Sequence, residues 1–107
     1  MHVGVSRLTF HVPHARSLKE KRSVVRKLRE RIRARFEVSV AEVDAQDLHQ
    51  RVVLGVAVVS ADHDVCERVL GEVARFAELD EVAQLVGRAT ELVPFGDDLY
   101  EDDPLGR

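Results

Sequence analysis

The chain has few of the residues from which specialised sites are built. Of its 107 residues only one is cysteine, none is tryptophan, and aromatic side chains make up 5%. A single cysteine, Cys66, excludes an internal disulfide and any zinc site made of several cysteines, and it is compatible with a reducing compartment, with the cytosol as the default. Because rings are scarce, the core must be built mainly from aliphatic side chains.

Long apolar runs and catalytic motifs are also missing. No segment approaches the roughly 18 to 20 apolar residues that cross a bilayer, and no basic leader opens the chain, so we expect a soluble cytoplasmic protein with no membrane partner. A Gly-rich phosphate loop, a nucleophile with its base and the acylphosphatase signature are all absent. The sequence therefore predicts a protein that is not an enzyme and that holds no cofactor.

Histidines are present, but their spacing does not favour a metal site. His11 and His14 are three residues apart across Pro13, which does not place both on one helical face. His49 and Asp47 are expected nearby, yet coincidence explains the group better than zinc does. We predict no metal.

Positive charge is concentrated in one segment, although the net charge of the chain is −3. Residues 16–35 carry ten Lys or Arg and two Glu, a formal charge of +8, and the remainder of the chain carries −11. Such asymmetry indicates an interaction surface more strongly than the net charge does.

Hydrophobic periodicity predicts the order β-α-β-β-α-β. We expect strands at residues 2–12, 36–43, 51–59 and within 82–95, with a possible bulge in the first strand near Ser6 and Arg7, where the alternation slips. The Ser17 and Glu20 capping box begins the first helix, and Asp62 can cap the second. This order favours an α+β, ferredoxin-like βαββαβ sandwich, in which two helices cover one face of a four-stranded antiparallel sheet of order 4-1-3-2.

The predicted domain spans residues 1–95, and residues 96–107 are expected to form an acidic, flexible tail. The topology also places the loop DAQDLHQ, residues 44–50, beside the start of the basic helix.

The motifs SLKEKR, VSVAEVD and QDLHQR occur in this order and spacing. Between about Val3 and Leu79 the chain closely resembles the YlxP-like bacterial family, small proteins classed as a domain of unknown function. The resemblance implies a ferredoxin-like fold with no established enzymatic activity. Genes of the family often lie beside those for a translation initiation factor and a ribosome-binding factor, which points by association to ribosomal or RNA work. The chain departs from the family pattern at Glu37, usually asparagine, and at His49, usually tryptophan.

Five cations of the basic helix fall within about 80° on a helical wheel, beside the apolar stripe. We call them the basic stripe, and they are Lys19, Arg22, Arg26, Arg29 and Arg33. The stripe is either a surface for a polyanion or an ordinary solvated helix face. Only two Glu lie within the segment, so local pairing cannot neutralise it.

Lys21 is different, because the wheel places it on the apolar side of the same helix. The first interpretation is a structural ion pair with Asp44 or Asp47 of the loop. The alternative is a small anion site formed with Lys19 and Arg22 at the helix amino terminus.

Two functional hypotheses follow. The first is a non-enzymatic RNA- or ribosome-associated module that docks the basic stripe on phosphates. The second is a protein-interaction or self-association module, such as a homodimer, in which the helix meets acidic surface or the acidic tail. Base stacking on the sheet is not expected, because the third strand has no aromatic residue.

Overall fold

The computed structural model describes residues 1–96, and residues 97–107, most of the predicted tail, lie outside the described part. Six elements follow one another in the predicted order. They are β1 (His2–His11), α1 (Leu18–Arg35), β2 (Ser39–Asp44), β3 (Arg51–Ser60), α2 (His63–Ala77) and β4 (Gln84–Pro94).

The four strands form one antiparallel sheet in the order β2-β3-β1-β4, which is the predicted order read from the other end. Helix α2 packs over β1, β3 and β4, and α1 packs over β2 and beside α2. Side chains from both helices and from one side of the sheet form a single buried cluster. The protein therefore has the ferredoxin-like βαββαβ architecture, with both helices on one face and the other face, here called the outer face, without a covering layer.

Both helices begin at the residues that the sequence indicates. The Ser17 hydroxyl accepts a hydrogen bond from the Glu20 amide at 3.2 Å, and Asp62 accepts one from the Asp64 amide at 2.8 Å. The capping box is shifted by one residue from the expected form. The Glu20 carboxylate accepts from the Arg16 amide at 2.7 Å instead of the cap amide.

The predicted bulge in β1 is wrong. The strand pairs with β3 residue by residue along its whole length, and the register shifts lie instead opposite Thr9 and Phe10 in β4 and between Glu42 and Asp44 in β2. The alternation of apolar and polar residues in the β1 sequence is broken because small residues, Gly4 among them, occupy inward positions. A Cβ at Gly4 would lie only 2.8 Å from Leu70 Cδ1 of α2. Val3 and Val5 accordingly point to the outer face.

The loop between β2 and β3 lies at the start of α1, as the topology predicts. The Val12 amide donates to Gln50 O at 2.9 Å, and the Gln50 side-chain amide donates to Pro13 O at 3.2 Å. These bonds join the end of β1 to the loop, beside the first turn of α1. Within residues 1–96 no helix is both long enough and apolar enough to cross a membrane.

Candidate functional site

The two flanks of helix α1 contact different elements, one facing α2 and the other facing β2. On one flank, Arg31 Nη1 lies 2.9 Å from Asp80 Oδ1, and the Arg35 guanidinium stacks 5.0 Å from the centroid of the Phe76 ring, so this flank faces α2. On the opposite flank Arg33 Nη2 donates to Val40 O of β2 at 3.0 Å. The basic stripe, which includes Arg33, therefore lies on the side of α1 that faces away from α2 and overhangs β2.

The cations of the stripe have no acidic partner within residues 1–96. Within residues 1–96, none of the five lies within 4.0 Å of a carboxylate oxygen. Four of them are exposed, and Arg29 is half-buried with its Nε unpaired. Of the two acids within the segment, Glu20 is held by the Arg16 amide and Glu30 makes no ion pair in this part of the chain. Five positive charges therefore share one surface.

An unpaired strand edge lies directly below the stripe. Strand β2 is the last strand of the sheet, and its Val40 carbonyl is free of the ladder and accepts from Arg33. Gln46 Nε2 makes a long contact of 3.5 Å to the next carbonyl on this side, that of Glu42. Two side chains therefore cover the edge, as is common for edge strands that must not pair with other chains.

Lys21 is buried at the first turns of α1, with 1% of its surface exposed. Its Nζ donates to Ala45 O at 2.6 Å and to Leu48 O at 2.7 Å, and it lies 2.9 Å from Glu42 Oε2. Two of its protons are donated to loop carbonyls, while the contact with Glu42 is one of opposite charges without hydrogen-bond geometry. Lys21 is thus a structural anchor that fixes the 44–50 loop to α1.

The predicted partners of Lys21 need correction, because its acid is Glu42 and neither Asp44 nor Asp47. Asp44 Oδ1 accepts from the Ala45 amide at 2.7 Å, and both aspartates are exposed. Glu42 shares the inward side of β2 with Val40, a signal that strand alternation already contains. The bulge after Glu42 interrupts that alternation and turns Asp44 away from the helix.

The histidines considered for a metal do not converge. His11 Nδ1 lies 3.2 Å from Gln50 O, while His14 and His49 are exposed. The group of acidic and histidine side chains that does assemble within residues 1–96 is His63, Asp64 and Glu67, exposed at the start of α2. Solvated acids at a helix amino terminus are also what favourable interaction with the helix dipole produces, so the group has an ordinary structural explanation.

Most of the chain matches the profile of a known protein family. The profile of the family described as protein of unknown function (DUF503) matches residues 3–89, a span that contains the basic stripe, the 44–50 loop and most of β4. This chain belongs to the DUF503 family.

A Bacillus subtilis (strain 168) relative, called uncharacterized protein YlxP, is 34% identical over 76 residues, which cover 71% of this chain and 83% of the relative. A solution NMR structure of a de novo designed protein with a ferredoxin fold superposes with a TM-score of 0.48 at 11% identity, over 96% of this chain and 95% of the design. The predicted YlxP-like membership is thereby confirmed. Glu37 and His49 of this DUF503 chain, at which the resemblance in sequence indicates departures from the family pattern, are both exposed.

Proposed function

We propose that the protein is a binding module that docks the basic stripe of α1 on the phosphate backbone of structured RNA, with ribosomal RNA as the first candidate. The observation that supports this is the set of five cations without a carboxylate partner within residues 1–96. Their neighbours Lys21 and Arg31 each pair with a carboxylate, of Glu42 and Asp80 respectively, and the stripe differs from them in having no such partner in this part of the chain.

The dimensions of the stripe suit a polyanion. From Lys19 to Arg33 it extends about 21 Å at 1.5 Å per residue, long enough to span several phosphates of one strand. Four of its five members are arginines, whose planar guanidinium can engage phosphate oxygens in pairs. Each neutralised phosphate releases condensed counterions, so binding should weaken steeply as salt is added.

The sheet does not supply a platform for reading bases. Phe10, the one Phe, Tyr or Trp of β1, is fully buried between the sheet and the helices, and β3 has no aromatic residue. We therefore propose recognition through charge and shape rather than through stacked bases.

The decisive experiment compares two neighbouring charge reversals, Arg26→Glu in the stripe and Lys27→Glu outside it. Both side chains are exposed in the middle of α1, and the two variants carry the same net charge. Binding to a labelled RNA hairpin and to purified ribosomal subunits is measured over a salt series. We expect Arg26→Glu to weaken binding by about tenfold and to reduce the slope of log K against log salt by about 1, with Lys27→Glu close to the wild type.

A double variant, Arg22→Glu with Arg26→Glu, should lose about two phosphate contacts and reduce the slope of log K against log salt by about 2. Equal affinity and equal slope for the wild type and this double variant would show that the stripe is not the contact surface. Equal losses for Arg26→Glu and Lys27→Glu would indicate that net charge alone is sensed, which also contradicts the proposal.

An acidic protein segment is the second candidate occupant, and the edge of β2 below the stripe favours it, because only the Arg33 and Gln46 side chains of the described residues cover that edge. An extended segment could add to this edge as a strand once the Arg33 side chain moves from Val40 O, with its acids under the stripe. Residues 97–107 of the chain itself contain five Asp or Glu and are one such segment. If they mask the stripe, their deletion will tighten binding of the RNA hairpin, and unchanged affinity would argue against masking.

A further inference from the structure

The outer face of the sheet is apolar over most of its area. All four strands contribute to it, and both helices lie on the opposite side. Among its exposed members, Val59 is 64% and Val5 is 39% exposed, and Met1 and Phe95 are exposed at the same end of the sheet. Strand register gives three rows of residues across this face. The first row is Val59, Val3 and Val93, and the second is Ser39, Ala57, Val5 and Glu91. The third is Ala41, Gly55, Arg7 and Ala89.

A face of this kind is unusual on a monomer. Soluble proteins rarely leave contiguous apolar patches of more than a few hundred Å² in water, and an antiparallel sheet with one solvated face normally carries polar residues there. In this protein the outward positions of the central strands are mainly Val, Ala and Gly. Their side chains offer no hydrogen bonds and no rings, so the face suits another apolar surface better than it suits nucleic acid.

The two charges near the centre of the face are of opposite sign. Arg7 lies opposite Ala89, and Glu91 lies opposite Val5, so the two occupy diagonal positions on neighbouring strands. Within residues 1–96 neither makes an ion pair. A two-fold axis between these positions would bring Arg7 of each copy to Glu91 of the other, so the face is complementary to itself.

We propose that the outer face is the interface of a homodimer, in which two sheets pack face to face. Four strands at 4.8 Å over about seven residues give a footprint of roughly 450 Å² per subunit, or roughly 900 Å² for the pair. This lies at the small end of specific interfaces, so the dimer is expected to dissociate in the micromolar range. Lys19, Arg22, Arg26 and Arg29 of the basic stripe lie on the helix side and remain accessible in both copies. The fifth member, Arg33, reaches over the edge of β2 and lies at the rim of the outer face beside Ser39.

The first test uses sedimentation velocity on the full chain between about 1 and 200 µM, concentrations that bracket a micromolar Kd. Val59→Lys introduces a charge on the face, and Leu79→Lys introduces the same charge at an exposed apolar residue after α2. We expect the wild type and Leu79→Lys to dimerise alike and Val59→Lys to raise the Kd at least tenfold. A monomeric wild type, or equal dimerisation of all three proteins, would overturn the proposal.

The second test exchanges the two charges. Arg7→Glu and Glu91→Arg each place like charges against each other across the two-fold axis, and the double exchange restores two opposite pairs. We expect each single variant to weaken the dimer and the double variant to recover most of the affinity. Repulsion between Arg7 and Glu91 variants within one chain would not depend on protein concentration, whereas a contact between two copies would. The concentration dependence of the sedimentation coefficient therefore distinguishes the two cases. Failure of the double variant to recover affinity would refute the reciprocal Arg7 and Glu91 contact.

Discussion

At the scale of single residues, Lys21 shows why one cation of a basic helix is buried while its neighbours are solvated. Its Nζ holds two loop carbonyls and the Glu42 carboxylate, and one of those carbonyls belongs to Ala45, whose φ of 55° lies in the left-handed region. That conformation costs a residue other than glycine about 1 kcal/mol or more, so the loop needs an external contact to keep it.

Replacing Lys21 by methionine should lower the free energy of unfolding by about 3 kcal/mol, because two carbonyls lose their donor and the half-buried Glu42 carboxylate loses its opposite charge. Urea denaturation measures the loss. Lys27→Met is the control, since Lys27 is exposed on the same helix and should change stability by no more than about 0.5 kcal/mol. A loss below about 1 kcal/mol at Lys21 would mean that the three contacts contribute little to folding.

Two glycines packed in the core should respond in opposite ways to alanine. A Cβ at Gly4 would lie 2.8 Å from Leu70 Cδ1 and 3.3 Å from Cys66 Cβ, so Gly4→Ala should destabilise the protein by about 1 to 3 kcal/mol. In α2, a Cβ at Gly71 would lie 3.4 Å from the end of the Arg75 side chain, and Gly71→Ala should stabilise by up to about 1 kcal/mol through helix propensity. Thermal unfolding of the two variants measures both effects, and a stable Gly4→Ala protein would show that α2 can retreat from β1.

At the scale of elements, the start of α1 depends on one hydroxyl. Ser17→Ala removes the acceptor of the Glu20 amide and should cost about 1 kcal/mol, whereas Ser17→Asp should retain most of the stability. Ser23→Ala is the control within the same helix, because an alanine there improves helix propensity and removes no cap. Chemical denaturation distinguishes them, and equal stability of the two alanine variants would show that the cap contributes nothing.

The elements themselves were predictable because their signals are local. Capping residues, the apolar period of α1 and the apolar run of β3 depend on neighbours within a few positions, and the ferredoxin-like order follows from their sequence. The bulge in β2 was not predictable, since nothing in VSVAEVD distinguishes a residue that pairs from one that bulges. That single irregularity decided whether Glu42 or Asp44 would meet Lys21.

The bulge expected in β1 was wrong for a related reason. Hydrophobicity reports which residues avoid water, and it does not report which face of a sheet they occupy. Val3 and Val5 are apolar on the outer face, while α2 approaches closely at the inward Gly4, and the inward Ser6 is a small polar residue bonded to Thr90. A strand that is apolar on both faces therefore resembled a strand with a slip, and the same valines make the outer face apolar.

At the scale of the whole molecule, the helix layer and the outer face carry the two proposed contacts separately. The helix layer carries the unneutralised basic stripe, and the outer face is apolar with one charge of each sign. Packing two sheets face to face would leave both helix layers outside, with one stripe on each side of the dimer. The proposed RNA contact and the proposed dimer contact can therefore be removed separately by variants on opposite faces.

Dimerisation through the outer face should make the thermal stability of the protein depend on its concentration. If the outer faces pair in the native state and not in the unfolded state, mass action will stabilise the fold as protein concentration rises. For a domain of this size, the Tm of the wild type should rise by about 5 °C over a roughly hundredfold increase in concentration, measured by differential scanning fluorimetry and calorimetry. In Val59→Lys the Tm should be nearly independent of concentration, because exposing a lysine on this face opposes pairing while leaving the monomer core intact. If the wild-type Tm stays constant over the same range, the monomer folds without associating, which contradicts the sheet-to-sheet dimer.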